Sequence, residues 1–311
     1  MQVEEELGLF LPPQDMVLTI GVFDGVHLGH QYLLAQLKEQ ALKEKLITGV
    51  VTFSQHPQKL LSPQTELPFL TNLTQRIALL KEQGVDAVIP LSFTPELARL
   101  SPRRFLALLK RYLRMRGLVI GPDFALGQGR EGNIDTLHKL GQEMGFSVRV
   151  VPPVRIKGEV VSSTAIRQAI ASGDMKRVLE LTGRFFSLQG QVITGSSRGR
   201  DLGFPTANLK ISPEQALPAD GVYATRAYIG DKIYHSTTNI GSCPTFGGSE
   251  CTVEIHIIDY NSDLYGQELK IAIIERLRGE SKFDTAAALK KQIAQDIDIT
   301  RSILNDEDSA K

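Results

Sequence analysis

His27 and His30 stand three residues apart in GVFDGVHLGH, residues 21–30, directly after a short apolar run. Such a pair can ligate a metal, pack in a core or handle phosphate. A metal needs a third and fourth ligand, and no nearby cluster supplies them. Position favours an anion: VLTIGVF runs into the turn signal Asp24-Gly25 and then into a helix opening near His30. Beyond the carboxyl end of a parallel strand, the first helical turn offers free N–H groups and partial positive charge. Histidines at i and i+3 there can donate hydrogen bonds to a phosphate or, when protonated, stabilise a pentavalent transition state. Gly29 between them would let a nucleotide approach the backbone. On chemistry alone, phosphate handling and a core role for one ring both stand.

A second stretch with chemical potential is GQVITGSSRGRDLGFPTANL, residues 190–209. Gly195, Gly199 and Gly203 keep it bare, Arg198 and Arg200 bring positive charge, and Thr206 and Asn208 place two oxygen donors suited to Mg2+ two residues apart. It is no P-loop, since G-x-x-x-x-G-K-[ST] is absent from the chain. Taken alone, a Gly/Arg loop of this kind is more often a plain turn. In CTVEIHIIDY, period-two alternation sends Val253, Ile255 and Ile257 to one face and Thr252, Glu254 and His256 to the other. By itself Glu254 reads as a solvent-facing strand carboxylate.

The elements that must position these residues follow from apolar periodicity. In the first half, VLTIGVF, ITGVVTF, VDAVIPLSF, LVIGPD and FSVRVVPPV alternate with helical stretches, which predicts parallel βαβ units. RRFLALLKRYLRMRG places Phe105, Leu108, Leu109 and Tyr112 on one stripe and Arg103, Arg104, Lys110, Arg111 and Arg114 opposite; a solvated basic face is preferred to an RNA footprint. After about residue 185, turn-punctuated β segments without intervening helices predict an antiparallel barrel or sandwich, closed by a helix over TAAALKKQIAQDIDITRSIL. Two domains are therefore expected, 1–185 and 186–311, with the boundary after GDMKRVLELTGR.

The 311 residues carry 35 basic and 35 acidic side chains, so no global field points to nucleic acid or an acidic membrane surface. Two cysteines, Cys243 and Cys251, make neither a disulfide framework nor a CxxC site, which suits a reducing cytoplasm. MQVEEE lacks the basic start of a secretory signal, and no apolar run approaches the length of a membrane span. Gly127-Gln128-Gly129-Arg130-Glu131-Gly132 matches G-x-G-x-x-G, but VRVVPPV offers no acidic residue for a ribose, so NAD is rejected.

GVFDGVHLGH resembles the HxGH signature of nucleotidyltransferases. Together with TFSQHP (52–57), GPDFALGQGREG (121–132) and VSSTAIR (161–167), it is similar to the bacterial bifunctional riboflavin kinase/FAD synthetase family. GRDLGFPTANL, VEIHIID and RLRGESKF continue the resemblance in family order, while Gln55 and Leu126 stand where that family usually has proline and an aromatic. The resemblance implies an α/β, Rossmann-like nucleotidyltransferase domain and a C-terminal antiparallel β-barrel kinase domain with a terminal helix. It implies that ATP phosphorylates riboflavin to FMN and then transfers AMP to FMN, giving FAD and pyrophosphate.

By the same resemblance, His27 and His30 are catalytic, Phe23, Asp24 and Gly29 join the nucleotide site, and Ser162, Ser163, Thr164 and Arg167 bind the triphosphate. Asp123 and Arg130 would contact flavin or nucleotide. In the kinase, Gly195, Gly199 and Arg200 would bind nucleotide, Thr206 and Asn208 nucleotide and Mg2+, Glu254 would be the base, and Arg278 would contact flavin; its plain alternative is an ion pair with a nearby acid. An N-cap role for Ser162 or Ser163 is compatible with phosphate binding. Expected partners are riboflavin, FMN and ATP in the cytoplasm, without nucleic acid or membrane; self-association stays open. A flavin- or RNA-binding module using residues 101–117, and a chain retaining one activity, are the competing readings.

Overall fold

The computed structural model describes residues 1–61, 64, 67–195, 203–245 and 248–309, with 242–245 and 248–251 as backbone only. The chain divides into two compact units, Met1–Ser163 and Thr164–Lys311.

In the first unit, β1 (Met16–Ile20), β2 (Ile47–Phe53), β3 (Ala87–Leu91), β4 (Met115–Ile120) and β5 (Ser147–Val150) form a sheet in the order β3-β2-β1-β4-β5, every pair parallel. All five residues of β1 are buried, as its apolar run, broken only by Thr19, requires of a strand covered on both faces. Met16, Leu18 and Ile20 enter one core with Phe105 and Leu109; Val17, Val50 and Val119 enter the opposite core with Leu34 and Leu37. The strand order reverses between β1 and β4, so the loops leaving Ile20 and Ile120 flank the switch-point crevice where open α/β sheets bind ligands.

The basic stripe lies on the helix Pro102–Leu113, whose N-cap is Ser101. Arg103 pairs with Glu143 and Arg104 with Glu4 at 3.7 Å, while Arg114 and Arg116 share Asp15 at 2.7 Å each. Three of the five stripe charges, Arg103, Arg104 and Arg114, are thus matched by acids of their own unit, and Lys110 donates to the carbonyls of Met144 and Gly145, which supports the ordinary-face reading over an RNA footprint.

A short antiparallel ribbon, β6 (Arg155–Ile156) and β7 (Glu159–Val160), closes the first unit. The second unit is built on six antiparallel strands, β8 (Phe186–Ile193), β9 (Ala207–Lys210), β10 (Gly221–Ile229), β11 (Lys232–Thr245), β12 (Gly248–Ile257) and β13 (Glu268–Arg278), closed into a barrel in the order β10-β11-β12-β9-β8-β13. Inside it, Leu188, Val253, Ile255 and Ile271 are almost wholly buried. The C-terminal helix, Ala286–Ser309, packs outside: Leu304 meets Ala272 and Ile274, and Thr300 Oγ1 lies 3.1 Å from Thr237 Oγ1. The division between units falls ahead of the expected 185/186 boundary. The helices Ser163–Ser172 and Met175–Thr182 group with the barrel, the latter packed on β8 and β13, and Ala219 N donates to Ile170 O at 3.2 Å.

Candidate functional site

Between β1 and the helix Leu28–Glu44 the backbone makes an unusual turn, with positive φ at Phe23 (53°), Gly25 (78°) and Val26 (36°). For the two non-glycine residues this costs on the order of 1–3 kcal/mol each, so the surroundings must impose it. They do so through buried polar groups. The Asp24 carboxylate accepts the backbone N–H groups of Leu70 at 3.0 Å and Thr71 at 3.1 Å, and Thr71 Oγ1 accepts from Gly25 N at 3.2 Å. The Val22 carbonyl accepts from Thr52 Oγ1 at 3.0 Å and from Arg76 Nη1 at 2.8 Å. Burial pushes the Arg76 guanidinium below its ordinary pKa, and the charge of Asp24 opposes that shift.

The turn delivers His27 to the N-cap of its helix, where Nδ1 accepts the His30 N–H at 3.3 Å. An accepting Nδ1 carries no proton, so the neutral ring has its hydrogen on Nε2 and can donate there. The His27 and His30 rings stack with centroids 3.7 Å apart, and Phe23 packs at 5.0 Å from His30. A Cβ at Gly29 would meet His27 ring atoms at 3.1 Å and Val161 O at 3.3 Å. The missing side chain thus makes room for the His27 ring. Asp24, expected at the nucleotide, is 2 % exposed with its carboxylate turned onto the backbone at Leu70 and Thr71.

Ser163 Oγ donates to the Asp24 backbone carbonyl at 2.9 Å, so the serine pair adjoins the histidine turn; Ser162 immediately precedes the helix, and Thr164 and Arg167 lie in its first turns. Arg130 Nη2 donates to the Asp123 carbonyl at 2.9 Å, and Leu126 and Gly132 bridge the same loop by paired backbone bonds. The G-x-G-x-x-G stretch is therefore a pinched loop, with Gly127 and Gly129 at positive φ.

In the barrel, Glu254 on β12 pairs across the ladder with Asn208 on β9 and Asn239 on β11. Thr206, Glu254, His256 and Arg278 converge with Phe204 and Phe283 on one cavity of about 630 Å3. A second cavity of about 410 Å3 shares Thr206 and extends past Ala207 to Tyr260, Asp263 and Tyr265. A Cβ at Gly195 would overlap the Asn208 amide, so the bare glycine is what admits it. His256 Nδ1 donates to Pro205 O at 2.9 Å, fixing the segment that carries Thr206. Arg278 grips the buried Asp296 of the C-terminal helix, Nη2 to Oδ2 at 2.9 Å, with its guanidinium 5.7 Å from the Phe283 ring centre. Arg278 is thus ion-paired, as its plain alternative expects, and it also lines the cavity. Gly199 and Arg200, with Arg198, lie outside the described residues.

Three polar residues at these sites were missed from sequence. Arg76 and Asp296 each share a helical stripe with apolar residues, Arg76 with Leu80 and Asp296 with Ile293 and Ile297; a charge on a buried stripe is the signal. Asn239 had no local signal, because only barrel register sets it beside Glu254.

A model for FAD synthetase matches residues 11–165 and one for riboflavin kinase matches residues 182–304. The chain is 38 % identical to the bifunctional riboflavin kinase/FMN adenylyltransferase of Escherichia coli K12, covering 92 % of this chain and 91 % of that one. The enzyme of the same description from Listeria monocytogenes is 33 % identical over 92 % and 91 %. A crystal structure described as a macrolide-efflux protein from Streptococcus pneumoniae superposes with a TM-score of 0.89 at 32 % identity, covering 97 % of each chain. No described helix of the present chain is long and apolar enough to cross a membrane.

Proposed function

The chain belongs to the bifunctional riboflavin kinase/FMN adenylyltransferase family, and from that premise we propose how its two sites divide the chemistry. The protein phosphorylates riboflavin with ATP to give FMN and ADP, then joins AMP from a second ATP to FMN, releasing pyrophosphate and forming FAD.

The kinase step belongs to the Glu254 cavity. The ribityl hydroxyl attacks the γ-phosphorus as Glu254 takes its proton, and the bond from the γ-phosphorus to the oxygen bridging to the β-phosphate breaks to release ADP. The larger cavity, with Phe204 and Phe283, suits the flavin; the smaller one beyond Thr206 suits the nucleotide, so the two substrates meet at Thr206. Arg278, held by Asp296, fixes the flavin end. Thr206 and Asn208 are hard oxygen donors beside Glu254, with the Asn208 amide seated against Gly195, a donor set that fits Mg2+. When bound there, Mg2+ neutralises phosphate charge.

AMP transfer belongs to the histidine turn. The FMN phosphate is already ionised, so no base is needed: one of its oxygens attacks the α-phosphorus and pyrophosphate departs. His27 donates from Nε2 and His30 stands over the same helix start, stabilising charge as it builds on the phosphate oxygens. Asp24 shapes the turn from within. Ser162, Ser163, Thr164 and Arg167 bind the triphosphate, with Asp123 and Arg130 at the flavin or nucleotide edge. A cytoplasmic setting suits two ATP-consuming steps.

The observation that carries this division is the convergence of Thr206, Glu254 and Arg278 on one cavity of the barrel, in a different unit from the stacked histidines. Incubating the purified protein with riboflavin, ATP and Mg2+ and separating the flavins by chromatography tests it. FMN should appear first and FAD follow; a protein that binds flavin without converting it would defeat the reading.

A further inference from the structure

Arg76 has no assigned part in either reaction, yet it is one of the most deeply buried side chains of the protein, 1 % exposed in the middle of the helix Leu73–Glu82. A guanidinium is costly to bury, and its stripe neighbour Leu80 shows that an apolar residue would suit the position for packing alone. Its surroundings indicate what it holds. Nη1 donates to the Val22 carbonyl at 2.8 Å, the guanidinium lies 5.2 Å from the Phe69 ring centre, and the buried Asp24 carboxylate is the opposing charge. Val22 immediately precedes Phe23, where the positive-φ turn begins, and Asp24 sits inside that turn. The two charges therefore brace the same five residues, one through a carbonyl and one through the N–H groups of Leu70 and Thr71.

We propose that Arg76 is a positioning residue for AMP transfer: it fixes the Val22–Val26 turn so that His27 caps its helix and aims Nε2–H at the reacting phosphate. Arg76 touches no substrate, and its effect is carried wholly by the turn. This rests on the reading that the histidine turn is the AMP-transfer site.

The test uses the full-length protein, with its own kinase reaction as internal reference. Arg76→Met keeps the length of the side chain, Arg76→Gln keeps a donor without charge, and Arg76→Lys keeps both. Conversion of FMN to FAD at varied ATP, conversion of riboflavin to FMN, and thermal unfolding are measured for each, with His27→Asn alongside. Arg76→Met should lower kcat for FAD formation on the order of 10- to 100-fold, with KM for ATP within about threefold and the kinase rate unchanged. Arg76→Lys should recover most of the loss, and Arg76→Gln must fall below Arg76→Lys. The proposal is overturned by a kcat within about twofold of the parent for Arg76→Met, by failure of Lys to rescue, or by Gln matching Lys. The Gln–Lys comparison decides the matter even where Arg76→Met folds poorly. If His27→Asn retains FAD formation, the reading of the histidine turn itself fails; loss in His27→Asn beside an unaffected Arg76→Met removes only the part assigned to Arg76.

Discussion

His27 Nδ1 accepts the backbone N–H of His30 at 3.3 Å while the two rings stack 3.7 Å apart, so a single contact sets both the helix start and the tautomer of the first ring. The helix dipole and the Nε2 donor of His27 are then brought to the same end of the helix. A lone histidine elsewhere on the helix would have none of these linked.

Capping at His27 and its proposed part in AMP transfer are separable. Asparagine is a good N-cap but lacks the reach of an imidazole Nε2–H, whereas alanine loses both functions. His27→Ala should destabilise the first unit by about 0.5–2 kcal/mol and His27→Asn by much less, as read by denaturant unfolding. Both should let FMN accumulate from riboflavin with little FAD. Equal FAD yield from the asparagine variant and the parent would remove His27 from the chemistry.

Gly29→Ala opposes local propensity to site geometry. Alanine favours a helix over glycine by about 1 kcal/mol, but its Cβ would press on the His27 ring and on Val161 O. FAD formation should fall while thermal stability stays within a few degrees of the parent and FMN formation is unaffected. Full activity in Gly29→Ala would show that the ring has slack the close contacts do not suggest.

Much of the scaffold was legible because it is written in local periodicity. The apolar residues Met16, Val17, Leu18 and Ile20, the alternation through Val253, Ile255 and Ile257, and the stripe of Phe105, Leu108 and Leu109 each report their burial directly. What was not legible depends on partners far along the chain. Ala207–Lys210 alternates apolar and polar residues over only four positions, too short a run to mark a strand by itself; it is a strand because β8 and β12 pair with it on either side and close the barrel. The helices Ser163–Ser172 and Met175–Thr182 follow the first unit in sequence rhythm but pack with the second. At the histidine turn, residue types pointed to phosphate chemistry, whereas the inward role of Asp24 and the bracing by Arg76 arise from contacts 46 and 54 residues away.

The Arg278–Asp296 pair ties the proposed flavin cavity to the C-terminal helix. Asp296 is 3 % exposed, and its carboxylate accepts from Arg278 Nε at 3.1 Å and Nη2 at 2.9 Å, with Gln292 Nε2 adding a bond at 3.0 Å. Arg278→Ala would leave that carboxylate buried without its cation, a loss on the order of 3 kcal/mol. KM for riboflavin should rise while FMN-to-FAD conversion, measured on the same preparation, stays normal. Unchanged riboflavin affinity with lowered stability would restrict Arg278 to an ion pair.

Glu254→Gln gives the cleanest separation of the two reactions. The amide keeps the size of the side chain between Asn208 and Asn239 but cannot take the ribityl proton. FMN formation should drop about 10^2- to 10^4-fold, the usual contribution of a general base, while flavin affinity followed by fluorescence changes little. Supplied with FMN and ATP, the variant should form FAD at the parent rate, because the nucleophile of AMP transfer is already ionised and belongs to the other unit. Comparable loss of both activities would detach Glu254 from the kinase step; loss of flavin affinity alone would make it a binding residue in place of a base.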